Sequence, residues 1–248
     1  MIIQTQEELE ALQRVGAVVA ETIRVMGERL VPGITTIELD QIGQKILESH
    51  GAQSAPKLTY NFPGYTCISV NQEVAHGVPG YKIVDEGDIV NIDVSAELNG
   101  FYADAGRTFT VGSSKFKTKK LLSTTQQALR SATSVLRVGQ PLSIIGKAIE
   151  KASGNFSIIK NLGSHGVGSA LHEYPQDILP FFTADETRLL EEGMVITIEP
   201  FLTTHGDTVV HRGEWVLINP NPTALNAQFE NTIVVTKNGP IIITQETK

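Results

Sequence analysis

Cysteine is nearly absent, with Cys67 the only one in 248 residues. An internal disulfide framework is thereby excluded, and a lone thiol fits a reducing compartment. Long apolar runs are missing too: no stretch approaches the roughly 18 residues of a membrane span. The N-terminal MIIQTQEELE turns acidic and polar within a few residues, without the basic start and apolar segment of a secretory signal. Positive charge is in short supply, with 20 Lys and Arg against 27 Asp and Glu, a net charge of −7 and a pI of about 5.4. That balance argues against an extended phosphate-binding surface, so neither specific nucleic-acid binding nor a membrane partner is expected. The expected location is the cytoplasm. A hydrophobic content of 41% over this length permits a large core, and a single domain spanning 1–248 is the expectation.

What the chain does have is order. Thr5 and Glu8 have capping-box spacing, and Leu9, Leu12, Val15, Val19, Ile23 and Met26 recur every three or four residues, which predicts a long amphipathic helix ending before Pro32-Gly33. Thr35 and Glu38 repeat the capping signal for a second helix running towards Gly51. The middle of the chain repeats the arrangement, with a helix over about 121–136 and a shorter one ending near Gly154. Ile42-Gly43 with Gly51, and Ile145-Gly146 with Gly154, share the same glycine spacing. Each helix pair precedes a strand-rich region bearing two carboxylates, which suggests two related α/β halves facing each other.

From Asp88 to Glu97 the sequence alternates, Val90, Ile92 and Val94 on one face and Asn91, Asp93 and Ser95 on the other, the pattern of a half-buried strand. Asn99-Gly100 is a preferred two-residue hairpin turn, and residues 101–111 return as the partner. That turn pairs Leu98 with Phe101 and Ser95 with Asp104, leaving Asp93 as a diagonal neighbour of Asp104 on the same face, about 7–8 Å away between backbones. Two such acids repel unless a cation or a proton intervenes. Asn91, Tyr102 and Thr108 give that face the look of a cleft lining. A second pair, Glu199 in GMVITIEPF and Glu230 in AQFENTIVV, sits in apolar strand-like segments, and between the pairs stand His165 in SHGVG and His172 in LHEYP.

Taken together, HGVP at His76, GDIVNIDVSAELNGFYADAG, SHGVGSALHEYP, GMVITIEP and AQFENTIVV resemble the signature blocks of type I methionine aminopeptidases, in order and across nearly the whole chain. The resemblance implies an α+β pita-bread fold: two pseudo-symmetric α/β halves forming a curved antiparallel sheet covered by helices, with the site on the concave face. It assigns metal ligation to Asp93, Asp104, His165, Glu199 and Glu230. Four carboxylates and one imidazole make an oxygen-rich donor set suited to two divalent ions, Mn, Fe or Co, with Zn admissible. Bridging carboxylates hold such ions about 3.5–4 Å apart, where one hydroxide contacts both. The implied activity is hydrolysis after an N-terminal methionine, with a small second residue preferred, on nascent proteins and with ribosome association as a further expectation.

Glu199 is the expected general base, His172 the group that positions substrate and stabilises the tetrahedral intermediate, and His76 the group at the scissile amide. Phe62, Cys67 and Trp215, with Tyr65 and Leu171 behind them, are the expected side-chain pocket, a lining that suits a thioether. The 27 positions from His172 to Glu199 leave no room for a type II insertion. Xaa-Pro peptidases share the metal set but usually carry another N-terminal domain, and a noncatalytic peptide-binding relative would be expected to lose ligands. The chain departs from the family pattern at Ser164, Ala105 and Asn231, where glycine, threonine and histidine are usual. These positions border ligands and bear on second-layer hydrogen bonds and metal preference.

Overall fold

The computed structural model describes residues 1–245. The first half opens with helices α1 (Gln6–Arg29) and α2 (Thr36–Ser49). Strand β1 (Gln53–Ser54), helix α3 (Ala55–Tyr60) and strands β2 (Cys67–Val70) and β3 (Glu73–Ala75) follow, then β4 (Ile89–Leu98) and β5 (Phe101–Thr110). The second half opens with α4 (Phe116–Ser134) and α5 (Ser143–Ala152), then β6 (Ser157–Ile158), β7 (Ser164–Gly166) and β8 (Glu173–Ile178). Next come β9 (Val195–Ile198), β10 (Phe201–Thr203), β11 (Val210–Arg212) and β12 (Val216–Ile218). The chain finishes with β13 (Asn226–Gln228), β14 (Asn231–Val234) and β15 (Ile241–Ile242).

Both expected capping boxes are formed: the Thr5 and Thr35 hydroxyls accept from the Glu8 and Glu38 amides, and each glutamate carboxylate accepts back from the cap amide. The apolar stripe of α1 (Leu12, Val15, Val19, Ile23 and Met26) is buried with Leu39 and Leu47 of α2 against Ile68, Val90, Ile92 and Val94. Each fully buried side chain of this kind contributes about 1.5–3 kcal/mol. In the second half Leu121, Leu129, Ile145 and Ile149 pack in the same way on Ile196, Ile198, Leu202 and Ile233. Helix α4 begins five residues before the expected start. Its cap, Lys115, makes no side-chain bond and its first turn holds no acid, so neither signal that marked the first two helices exists there.

Every strand pairing is antiparallel among the described residues, in sheets ordered β1-β4-β2 with β5 on β4, β13-β10-β6, β11-β12-β3 and β15-β14-β9-β7-β8. The β4–β5 hairpin has the register the Asn99-Gly100 turn dictates, with Ser95 opposite Asp104 and Asp93 opposite Gly106. The strand is not half-buried, however. Asn91 and Ser95 are buried along with Val90 and Ile92, because the second half of the molecule covers the polar face, and the Arg107–Phe229 bridge ties the halves together there.

Candidate metal centre and active-site cleft

The two acid pairs are presented differently. Asp93 and Asp104 project from one face of the unbroken β4–β5 hairpin. Glu199 and Glu230 lie at an interruption instead. β9 pairs with β14 up to Ile198–Asn231, and β10 with β13 from Phe201–Gln228. The register is continuous across the gap, so Glu199 and Glu230 occupy opposed positions. Pro200, lacking an amide proton, cannot complete the ladder at this point. The segment 226–234 is therefore two strands rather than the single alternating strand its sequence suggests, and the Glu230 amide donates to the Gly106 carbonyl at 2.9 Å.

Around these acids the supporting groups are specific. The Ser95 hydroxyl donates to Asp104 Oδ1 at 2.9 Å. The Thr197 hydroxyl accepts from the His165 amide at 3.0 Å and donates to Glu199 Oε1 at 3.1 Å. The Glu199 amide donates to the Ser164 hydroxyl at 3.0 Å. Gln228 Nε2 donates to Glu230 Oε2 at 2.9 Å, while its Oε1 accepts from Asn91 Nδ2 at 2.7 Å. Gly106 makes that approach feasible, since a Cβ there would lie 1.9 Å from Gln228 Oε1. Arg107 donates to the Glu230 carbonyl and to Asn231 Oδ1. Gln228 and Arg107 carry no signal in the sequence, because an interior amide or guanidinium in a strand has no characteristic spacing, whereas alternation alone puts Thr197 on the same strand face as Glu199.

Asp104, His165 and Glu230 converge so that one donor atom from each lies within 4.8 Å of the others. His165 Nε2 stands 3.6 Å from Glu199 Oε1 and 3.9 Å from Asp104 Oδ2, and Asp93 shares the cleft lining with them. His165 Nδ1 donates to the Gly166 carbonyl at 3.0 Å, which leaves Nε2 as a bare lone pair among carboxylates. Burial drives the acids upward: Asp104 rises to about 6, and Asp93, Glu199 and Glu230, each also facing neighbouring carboxylates, lie well above their ordinary range. Burial lowers His165 to about 3. Glu230 Oε1 is buried with no hydrogen-bond partner. A set of acceptors aimed at one point, one of them orphaned, fits a divalent cation and has no other neutralising partner among the described residues.

The cleft over this cluster measures about 390 Å³ and is lined by all ten residues singled out above as ligands, catalytic groups or principal pocket residues: Asp93, Asp104, His165, Glu199, Glu230, His76, His172, Phe62, Cys67 and Trp215. Phe62 meets Trp215 edge-on, ring centroids 5.3 Å apart, and Leu171 joins that wall. Tyr65 does not: it faces a separate depression beside Leu58, with Lys57 over its ring at 4.7 Å. Nor do Asn91, Tyr102 and Thr108 line the cleft. Asn91 and Thr108 lie behind it, bonded to Gln228. Burial also raises the Cys67 thiol, which keeps it an uncharged wall residue.

His76 follows β3 with φ of 54°, an uncommon left-handed backbone for a non-glycine residue. Two bonds of the next residue hold it: the Ile68 amide donates to the Gly77 carbonyl at 2.9 Å and the Gly77 amide to the Ser69 hydroxyl at 3.0 Å. Its ring is packed among protein atoms yet open to solvent at the cleft mouth, and this partial desolvation pulls it down to about 4. His172, lowered for the same reason, lies with its ring centroid 4.1 Å from that of His165.

A fold of two helix-covered halves closing over a carboxylate-rich centre is that of metallopeptidase family M24, whose model matches residues 10–237, and the chain belongs to that family. Methionine aminopeptidase from Staphylococcus epidermidis is 45% identical, the match covering 99% of each chain. Methionine aminopeptidase 2 from Bacillus subtilis is 42% identical over 99% of this chain and 100% of its own. The crystal structure of methionine aminopeptidase from Rickettsia prowazekii superposes with a TM-score of 0.93 at 35% identity, covering 99% of this chain and 100% of that one. Within the family, the chain's place is among the type I methionine aminopeptidases, and the fold is the pita-bread α+β architecture that the signature blocks implied. No helix of the described residues is long and apolar enough to cross a membrane.

Proposed function

We propose that this chain is a cytoplasmic aminopeptidase that removes an N-terminal methionine from nascent proteins when the second residue is small, using two divalent ions held by Asp93, Asp104, His165, Glu199 and Glu230. The observation that carries this reading is the convergence of Asp104, His165 and Glu230 on one point, with Glu230 Oε1 lacking any partner. Mn, Fe or Co suits the donor set best, and Zn is tolerated by it. Bound there, such ions supply Lewis acidity and a water that ionises near neutral pH.

The chain's own groups do the rest. Glu199, raised by burial and tethered by Thr197, takes the proton of the attacking water. His172 donates to the carbonyl oxygen as it gains negative charge, and His76 contacts the scissile amide. Phe62, Cys67, Leu171 and Trp215 enclose an unbranched apolar side chain. Residues 1–248 act as one catalytic unit in this scheme.

The test is product analysis by mass spectrometry on Met-Ala-Ser, Met-Leu-Ser and Xaa-Pro peptides, with Mn, Fe, Co or Zn added. Met-Ala-Ser should lose methionine at least tenfold more efficiently than Met-Leu-Ser, a steric mismatch being worth about 1–3 kcal/mol. Equal cleavage of the two, or preferential cleavage of Xaa-Pro peptides, would replace the assignment with a broader aminopeptidase or an Xaa-Pro peptidase. No turnover with any metal would leave a peptide-binding protein.

A further inference from the structure

Tyr60 has no place in the scheme above, yet its phenol oxygen lies 2.8 Å from His172 Nδ1, with the two rings tilted and their centroids 5.6 Å apart. We propose that Tyr60 is a positioning residue: it donates its hydroxyl proton to His172 Nδ1 and so keeps the other ring nitrogen, Nε2, protonated for donation into the cleft. This deepens the peptidase reading and rests on it, because only a proton on Nε2 lets His172 stabilise a developing oxyanion.

The placement of both partners is built into the fold. Tyr60 is the last residue of α3, and the helix is closed directly behind it by Asn61 in the left-handed conformation, with the Asn61 and Phe62 amides returning to the Lys57 and Pro56 carbonyls at 3.1 and 3.2 Å. The Ser54 hydroxyl anchors the start of the helix to the Tyr65 carbonyl at 2.7 Å. His172 is fixed from its own side by Glu173, whose carboxylate accepts from the Ser169 amide and hydroxyl. The phenol and the imidazole nitrogen therefore meet at the cleft wall from separately braced segments.

The direction of the bond follows from the chemistry of its two ends. A neutral phenol is a strong donor and a poor acceptor, and Tyr60 is held in its protonated form by partial burial, which raises its pKa. A neutral imidazole carries one proton, so a hydrogen bond accepted at Nδ1 places that proton on Nε2. The neighbouring His165 shows the complementary choice: its Nδ1 donates to the Gly166 carbonyl and its Nε2 is bare. Two imidazoles in ring contact are thus set to opposite tautomers, one by a carbonyl and the other by a phenol, one suited to ligation and the other to donation.

The experiment compares wild type with Tyr60→Phe, which keeps the ring and deletes the donor at a side chain 45% exposed. Imidazole 15N spectra of the zinc-loaded, diamagnetic protein should show His172 protonated at Nε2 in the wild type and a mixture of tautomers in the variant. On Met-Ala-Ser, kcat should fall about three- to tenfold for one lost hydrogen bond, with KM changed less than twofold. In a His172→Ala background the same substitution should cost nothing further. An Nδ1-protonated His172 in the wild type, an unchanged tautomer in Tyr60→Phe, additive losses with His172→Ala, or a rise in KM alone would each overturn the proposal, the last by making Tyr60 a plain wall residue. The spectra need no turnover, so inactivity towards every peptide would defeat the peptidase reading while the hydrogen bond was still judged separately.

Discussion

Replacing Asp104 by asparagine removes one charge from the group of buried carboxylates and keeps an oxygen to which the Ser95 hydroxyl can donate. Burial lifts the Asp104 carboxyl from its ordinary 3.8 to about 6, against the opposing pull of the Ser95 hydroxyl that donates to it. A native state that holds the proton more tightly than the unfolded chain loses stability as pH rises through the window between those two values, and the loss is complete near pH 7. At 1.36 kcal/mol per pH unit the penalty is about 3 kcal/mol. With metal chelated, Asp104→Asn should therefore be the more stable protein at pH 7, by up to about 3 kcal/mol, or about 6–12 °C in Tm for a chain of this length. The advantage should nearly vanish at pH 3.5, where the wild-type carboxyl is protonated in the folded state and mostly so in the unfolded one. Excess Mn should reverse the order, because binding at a thousandfold over Kd adds about 4 kcal/mol to whichever protein holds the ion. Thermal unfolding by circular dichroism, with EDTA or Mn from pH 3.5 to 8, provides the measurement. A chelated variant no more stable than wild type at pH 7, or one whose advantage is as large at pH 3.5, would refute the reasoning.

Gln228→Ala should weaken metal affinity about 10–100-fold, measured by calorimetry, because it strips Glu230 Oε2 of its donor and leaves the Asn91 amide only its longer bond to the Thr108 hydroxyl. Ser164→Ala should cost about 1–3 kcal/mol in chemical denaturation, since the Glu199 amide loses its acceptor beside a fully enclosed strand, and Ser164→Thr should recover part of that loss.

The legible parts of this structure were those governed by local rules. Capping boxes at Thr5 and Thr35 announced two helices, and Asn99-Gly100 fixed ten residue pairs of the β4–β5 hairpin, including the opposition of Ser95 and Asp104. The start of α4 was hidden because Lys115 offers no capping oxygen. The depth of Asn91 and Ser95 was hidden for another reason: alternation reveals that a strand has two faces, not whether a distant segment will cover the polar one. Tyr65 and Tyr60 illustrate the limit for the cleft. Both flank the same loop, but the left-handed turn at Asn61 sends Tyr60 towards His172 and leaves Tyr65 outside, and nothing in the order of residues distinguishes them.

The two acid pairs also differ in how their geometry is maintained, and that difference gives meaning to the chain's departures from its family pattern. Asp93 and Asp104 need little help, because the pleat of a continuous hairpin already sets the distance between alternate side chains on one face. Glu199 and Glu230 sit where Pro200 breaks the ladder, so neighbouring groups must supply the missing backbone bonds. Ser164 accepts from the Glu199 amide, Gly106 accepts from the Glu230 amide, and Arg107 spans the Glu230 carbonyl and Asn231 Oδ1. Asn231 Oδ1 in turn accepts from the Thr244 hydroxyl at 3.1 Å. Two of the three departures, Ser164 and Asn231, thus fall at the interrupted ladder and each provides an acceptor that a plain backbone would not. The third, Ala105, is fully enclosed in the core behind the hairpin, where the hairpin itself holds the acids in place and a methyl group suffices.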